Sequence, residues 1–115
     1  MPISRAALLA LGWGWAAAIV WLSLTPSPPD VGLEEGDKLG HFASYALLML
    51  WFARLRADRA WRLAHAIGFV AMGVALEFAQ AALGYRAFEL LDMLANSAGI
   101  AAGWGAALAA ERLRA

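Results

Sequence analysis

The chain has 115 residues, 63% of them hydrophobic and 16% charged, with nine basic and nine acidic side chains that leave no net charge. A water-soluble domain this small cannot hide so much apolar surface inside itself, so the composition excludes an ordinary soluble fold and points to a membrane as solvent. Charge balance without a polybasic block excludes nucleic acid as a partner, and the lack of cysteine excludes disulfides, thiolate nucleophiles and thiolate metal sites.

Four apolar segments are predicted, at about 6–24, 39–55, 63–83 and 88–110, forming a single membrane domain over 1–115. The first belongs to a stretch, 6–29, with no Asp, Glu, Lys, Arg or His. That is long enough to cross roughly 30 Å of hydrocarbon as helix. The opening "MPISRAALLALGWGWAAAIVWLSL" has the basic-then-apolar form of a signal peptide, but its apolar core is too long and no small-x-small site precedes the prolines. It is expected to remain as an uncleaved first span, with "GWGW" at 12–15 anchoring and packing near one end. The loop "TPSPPDVGLEEGDK" breaks helix with proline and glycine and stays in water through its acids.

The second segment opens on "DKLGHFASYALLML", where charge runs into apolar sequence. At about 100° per residue, Asp37, Lys38, His41 and Tyr45 share one face. The third must run on past Leu76 to span, which carries Glu77 into the bilayer with Gln80 on the same face and Gly73 and Gly84 flanking them. The fourth carries Asp92, Asn96, Gly99 and Gly103 in one stripe, and Gly99-x-x-x-Gly103 lets a neighbouring backbone approach closely. Short connections make neighbours antiparallel, and the polar residues of three helices then fall at one depth. Arg5, Arg54, Arg56, Arg59, Arg62, Arg112 and Arg114 lie on one side against Lys38 and Arg86 on the other, which places both termini in the cytoplasm and the polar layer in the outer half of the membrane. On this reading Trp51 and Trp61 sit at the cytoplasmic interface with wet indole N–H groups, and His65 is an interfacial histidine away from the layer.

A carboxylate in hydrocarbon costs about 2.5 to 3.5 kcal/mol even on the mildest insertion scale, so Glu77 and Asp92 need partners, for which Lys38 and Arg86 are the available cations. The pattern fits three functions. Lys38, His41, Tyr45, Glu77, Gln80, Arg86, Asp92 and Asn96 can bind a lipid or envelope precursor by its phosphate or carboxylate. Alternatively, His41 with Glu77 or Asp92 can serve as catalytic acid and base, although Ser44 and Ser97 lack the setting of a nucleophile. In the third reading the network only fixes helix register or docks another membrane protein, with Gly99 and Gly103 as packing residues. No His-x-x-x-His or Glu-x-x-His pair builds a metal site, and no motif calls for a cofactor.

"DKLGHFASYALL" resembles the Asp-Lys-x-x-His-Phe-x-x-Tyr segment of the VanZ-like family of small membrane proteins. "EFAQAALGYRAFELLDMLANSAGIAAG" is similar to its Glu-x-x-Gln, Arg, Asp-x-x-x-Asn-x-x-Gly segment. The resemblance runs over roughly 5–107 and falls on Asp37, Lys38, His41, Tyr45, Glu77, Gln80, Arg86, Asp92, Asn96 and Gly99. It implies an all-α, multi-pass protein of the bacterial cytoplasmic membrane, and a link to antibiotic resistance, since the family's namesake is associated with low-level resistance to the glycopeptide teicoplanin. It implies no particular reaction.

Overall fold

In the computed structural model, residues 3–25, 34–84 and 90–114 are described, with 34–37 described in backbone alone. They form four helices, α1 (Arg5–Ser23), α2 (Glu34–Leu55), α3 (Arg59–Ala82) and α4 (Leu90–Arg114). Three of these, α1, α3 and α4, are long and apolar enough to cross a membrane. The long axis of the molecule, 46 Å, matches the roughly 40–45 Å of a bilayer with its headgroups. The composition of α2 keeps it out of that set, because even its last eighteen residues, 38–55, carry Lys38, His41 and Arg54.

Local chemistry sets the helix ends. Ser4 caps α1 by accepting the Ala7 N–H at 3.1 Å, and Asp58 caps α3 by accepting the Ala60 N–H at 3.0 Å. This second cap starts α3 at Arg59, four residues ahead of the apolar run that suggested 63. Likewise α2 is helical from Glu34 rather than 39, and α4 continues past 110 to Arg114, with Arg112 and Arg114 favourably placed near its carbonyl end. Beyond α3, the N–H groups of Leu83 and Gly84 close back on the carbonyls of Ala79 and Ala81. Gly84 turns the chain with φ of 78°, a conformation that side chains disfavour.

The helix with the most charged start is the one most deeply enclosed. Leu48, Met49, Phe52 and Ala53 of α2 are wholly buried, joined by Ala16, Phe69, Ile100 and Ala107 from the other three helices. Against α2 lies α4, whose Gly99 faces the Phe42 carbonyl and whose Gly103 faces the Ala46 carbonyl so closely that a Cβ at either position would collide with the oxygen. On the α1 side, Gly12 admits the Phe52 ring and the Trp51 side chain, either of which would lie 2.7 Å from an added Cβ.

Indole hydrogen bonds complete the attachment. Trp51 donates to the Leu8 carbonyl at 2.8 Å, Trp15 to the Ser44 carbonyl at 3.1 Å, and Trp61 to the Phe52 carbonyl at 3.0 Å. The expectation of wet indole N–H groups for Trp51 and Trp61 is therefore corrected: each N–H is taken up by a backbone carbonyl of a neighbouring helix. His65 is likewise more than an interfacial residue. Its ring stacks on Phe52 at 4.9 Å and contacts Trp61 at 4.1 Å, inside an aromatic cluster with Trp13 and Phe69.

Arg62, read from sequence as one of seven arginines on the cytoplasmic side, is 3% exposed. Its guanidinium donates to the carbonyls of Ala53 and Arg56 at the end of α2, and makes two bonds to the Glu111 carboxylate near the end of α4, at 3.2 and 2.7 Å. One side chain thus satisfies orphan carbonyls of one helix and ties it to a second.

The glycine contact predicts a contrast within one helix. Gly103→Ala is expected to lower stability by about 1–3 kcal/mol through overpacking. Gly105→Ala, where an added Cβ meets nothing within 4 Å, is expected to be neutral or to gain up to about 1 kcal/mol from helix propensity. Reversible unfolding in mixed micelles measures both.

Candidate functional site

Two polar side chains on successive turns of α2 converge on one carboxylate of α4. Lys38 Nζ lies 3.9 Å and His41 Nδ1 3.8 Å from the same Oδ1 of Asp92. These are ion-pair distances, longer than hydrogen bonds, and the histidine adds charge only when protonated. Asp92 occupies the first turn of α4, where the helix dipole favours an anion. Burial is graded across the group: the Asp92 side chain has no exposure, whereas His41 and Lys38 keep 23% and 30%. The acid is the fixed floor, and the two basic groups form an accessible rim.

One turn further along α4, Asn96 is buried between α2 and α3. Its Nδ2 would stand 3.0 Å from a Cβ at Gly73, where the Tyr45 ring would stand 3.5 Å away, so the missing side chain of Gly73 is what admits the amide beside the buried tyrosine. The Asn96 Oδ1 makes no hydrogen bond to a described residue. On α3, Glu77 and Gln80 are both buried, at 3% and 7% exposure. Gln80 turns to α1, its Nε2 donating to the Ser23 carbonyl at 2.8 Å.

The structure therefore brings together Lys38, His41 and Asp92, and separately Tyr45, Asn96 and Gly73. Gln80 joins a backbone carbonyl of α1, a helix that sequence reasoning credited with no ionisable group in the layer and that contributes a main-chain acceptor instead. Glu77 is enclosed on the inward side of α3. Arg86 and the side chain of Asp37 lie outside the described residues. Two surface grooves, of about 360 and 350 Å³, are lined by residues of α1 and α3 and of α3 alone, and neither includes a member of the polar layer. Chemically, the Lys38 ammonium and the His41 imidazole can donate to an anionic oxygen, with the enclosed Asp92 carboxylate orienting the two donors.

Comparison with known proteins gives one finding. A family model described as VanZ/LLP1 matches residues 9–111, close to the stretch over which the motifs suggested a resemblance. No curated protein and no solved structure matches the chain.

The graded burial predicts unequal losses on breaking the pair. Lys38→Met takes an ammonium away from a carboxylate that has no contact with water, whereas Asp92→Asn leaves Lys38 at a rim open to solvent. The first is expected to lower the thermal midpoint in detergent more than the second. Equal or reversed losses would show that Lys38 does not hold the charge of Asp92.

Proposed function

The chain belongs to the VanZ/LLP1 family, and we propose that it is a four-helix, multi-pass protein of the bacterial cytoplasmic membrane that binds an anionic lipid headgroup or a lipid-linked envelope precursor at its outer face. The observation that carries this reading is the convergence of Lys38 and His41 on the enclosed Asp92 while both remain partly exposed. An ammonium and an imidazole held by a carboxylate behind them are preorganised for a phosphate in front, and fixing them in advance lowers the ordering cost of binding.

Contact pairs support the antiparallel arrangement. Leu8 with Trp51 and Trp15 with Ser44 run in opposite senses along α1 and α2, as do Arg62 with Glu111 and Gly73 with Asn96 along α3 and α4. Gathering of arginines at the end opposite the polar layer supports cytoplasmic termini and an outward site. An outward site of this kind faces the compartment in which glycopeptides such as teicoplanin engage cell-wall precursors, and this is how a role in resistance would follow from binding. His41 beside Asp92 also has the elements of an acid and base pair, so a reaction on the bound lipid is the second reading.

Native mass spectrometry of the protein in mild detergent separates these readings. The wild type is expected to retain a phosphate-bearing envelope lipid, and Lys38→Gln/His41→Gln to retain it about tenfold less, a loss of about 1.4 kcal/mol, with unchanged folding. A chemically altered lipid product, absent with the double variant, identifies an enzyme. Retention unchanged by the double variant removes the site from consideration and leaves the layer as a device for helix register.

A further inference from the structure

The end of the molecule opposite the polar layer carries a second arrangement, independent of the first. Seven arginines gather there, Arg5, Arg54, Arg56, Arg59, Arg62, Arg112 and Arg114, against two acids, Asp58 and Glu111. Both acids are already engaged, Asp58 by Arg56 at 3.0 Å and Glu111 by Arg62 at 2.7 Å. Two of the arginines, from different parts of the chain, come to one indole: the Arg5 guanidinium carbon lies 6.0 Å and that of Arg56 5.0 Å from the centre of the Trp61 ring. Each gains from the ring's electron-rich face, and since Arg56 is already paired with Asp58, an anion above the ring would give Arg5 a partner and Arg56 a second one.

Directly beneath this pair the surface changes character. The Trp61 ring touches that of His65 at 4.1 Å, and His65 begins a groove of about 360 Å³ lined by Ala64, Gly68, Phe69 and Met72 of α3, with Trp13 of α1 as the facing wall. Gly68 opens it, since a Cβ there would meet nothing within 4 Å. His65 Nδ1 is 2.8 Å from the Trp61 carbonyl, which can only accept, so that nitrogen carries the proton and Nε2 is the ring's remaining polar atom. Cationic mouth and apolar groove lie in line along the bundle, the order in which an anionic phospholipid presents its phosphate and its acyl chain.

We propose that the Arg5–Arg56–Trp61 cluster and the α1/α3 groove together form a specific site for one anionic phospholipid of the inner leaflet, phosphate at the guanidiniums and acyl chain along His65, Gly68 and Met72. It rests on the membrane-spanning reading and on the cytoplasmic orientation proposed above, and on nothing in the polar layer. A juxtamembrane arginine near an anionic leaflet contributes about 1 kcal/mol without any specific contact. The test therefore compares variants with equal charge loss.

The protein is placed in nanodiscs of phosphatidylcholine doped with phosphatidylglycerol, and the phosphatidylglycerol retained per protein is counted by native mass spectrometry after gentle release. Arg5→Gln/Arg56→Gln is expected to lower retention about tenfold, and Gly68→Leu, which fills the groove without altering charge, to lower it comparably. Every variant is made in a Lys38→Gln/His41→Gln background, so that lipid held at the opposite end is not counted, and Arg112→Gln/Arg114→Gln, with the same charge removed from the same end, is expected to retain the lipid as that background does. If Arg112→Gln/Arg114→Gln loses it equally, or Gly68→Leu loses none, attraction is diffuse and the site is overturned. Retention of phosphatidylcholine in place of phosphatidylglycerol overturns it too.

Discussion

The arrangement depends on how closely α4 can lie on α2. Two glycines one turn apart, Gly99 and Gly103, put the α4 backbone against the Phe42 and Ala46 carbonyls of α2, at positions where any Cβ would collide. In a lipid solvent there is little hydrophobic drive to bring helices together, so close van der Waals packing between backbones has to supply it. Side chains of ordinary size at these positions would hold the helices apart. The acid of one helix would then be out of reach of the bases of the other.

From that contact the two ends of the molecule follow. At one end, Asp92 is drawn beneath Lys38 and His41. At the other, Arg62 reaches from α3 to join the last carbonyls of α2 to Glu111 of α4. The same pair of helices is pinned at both ends by charge and in the middle by glycine, while α1 is held by indole hydrogen bonds and by Gln80. A polar-headed helix is tolerable in this setting because α2 packs against its neighbours, with Lys38 at a rim and Leu48, Met49, Phe52 and Ala53 in the core.

Much of this was legible in the sequence. The four helices follow from uninterrupted apolar runs, the glycine stripe from its spacing, and the need of Asp92 for a cation, with Lys38 one of two candidates, from the rule that an embedded carboxylate must be partnered. What escaped reading has a common physical cause. Gln80 bonds to the Ser23 carbonyl, Trp51 to that of Leu8 and Arg62 to that of Ala53. A backbone carbonyl is offered by every residue and so leaves no mark in the sequence. Arg62 looked like one more charge on the cytoplasmic side because its burial requires three helix ends to meet. The start of α3 at Arg59 was hidden by arginines that resemble a loop, although Asp58 was there to cap it.

The central claim is that glycine-permitted contact between α2 and α4 is what couples the charged rim to its enclosed acid. A double-mutant cycle of Lys38→Met and Asp92→Asn, run once in the wild-type chain and once with Gly99→Ala, tests it by reversible unfolding in mixed micelles. The account predicts a coupling of at least about 0.5 kcal/mol with Gly99 and a coupling near zero with alanine. A coupling that survives Gly99→Ala undiminished would contradict it.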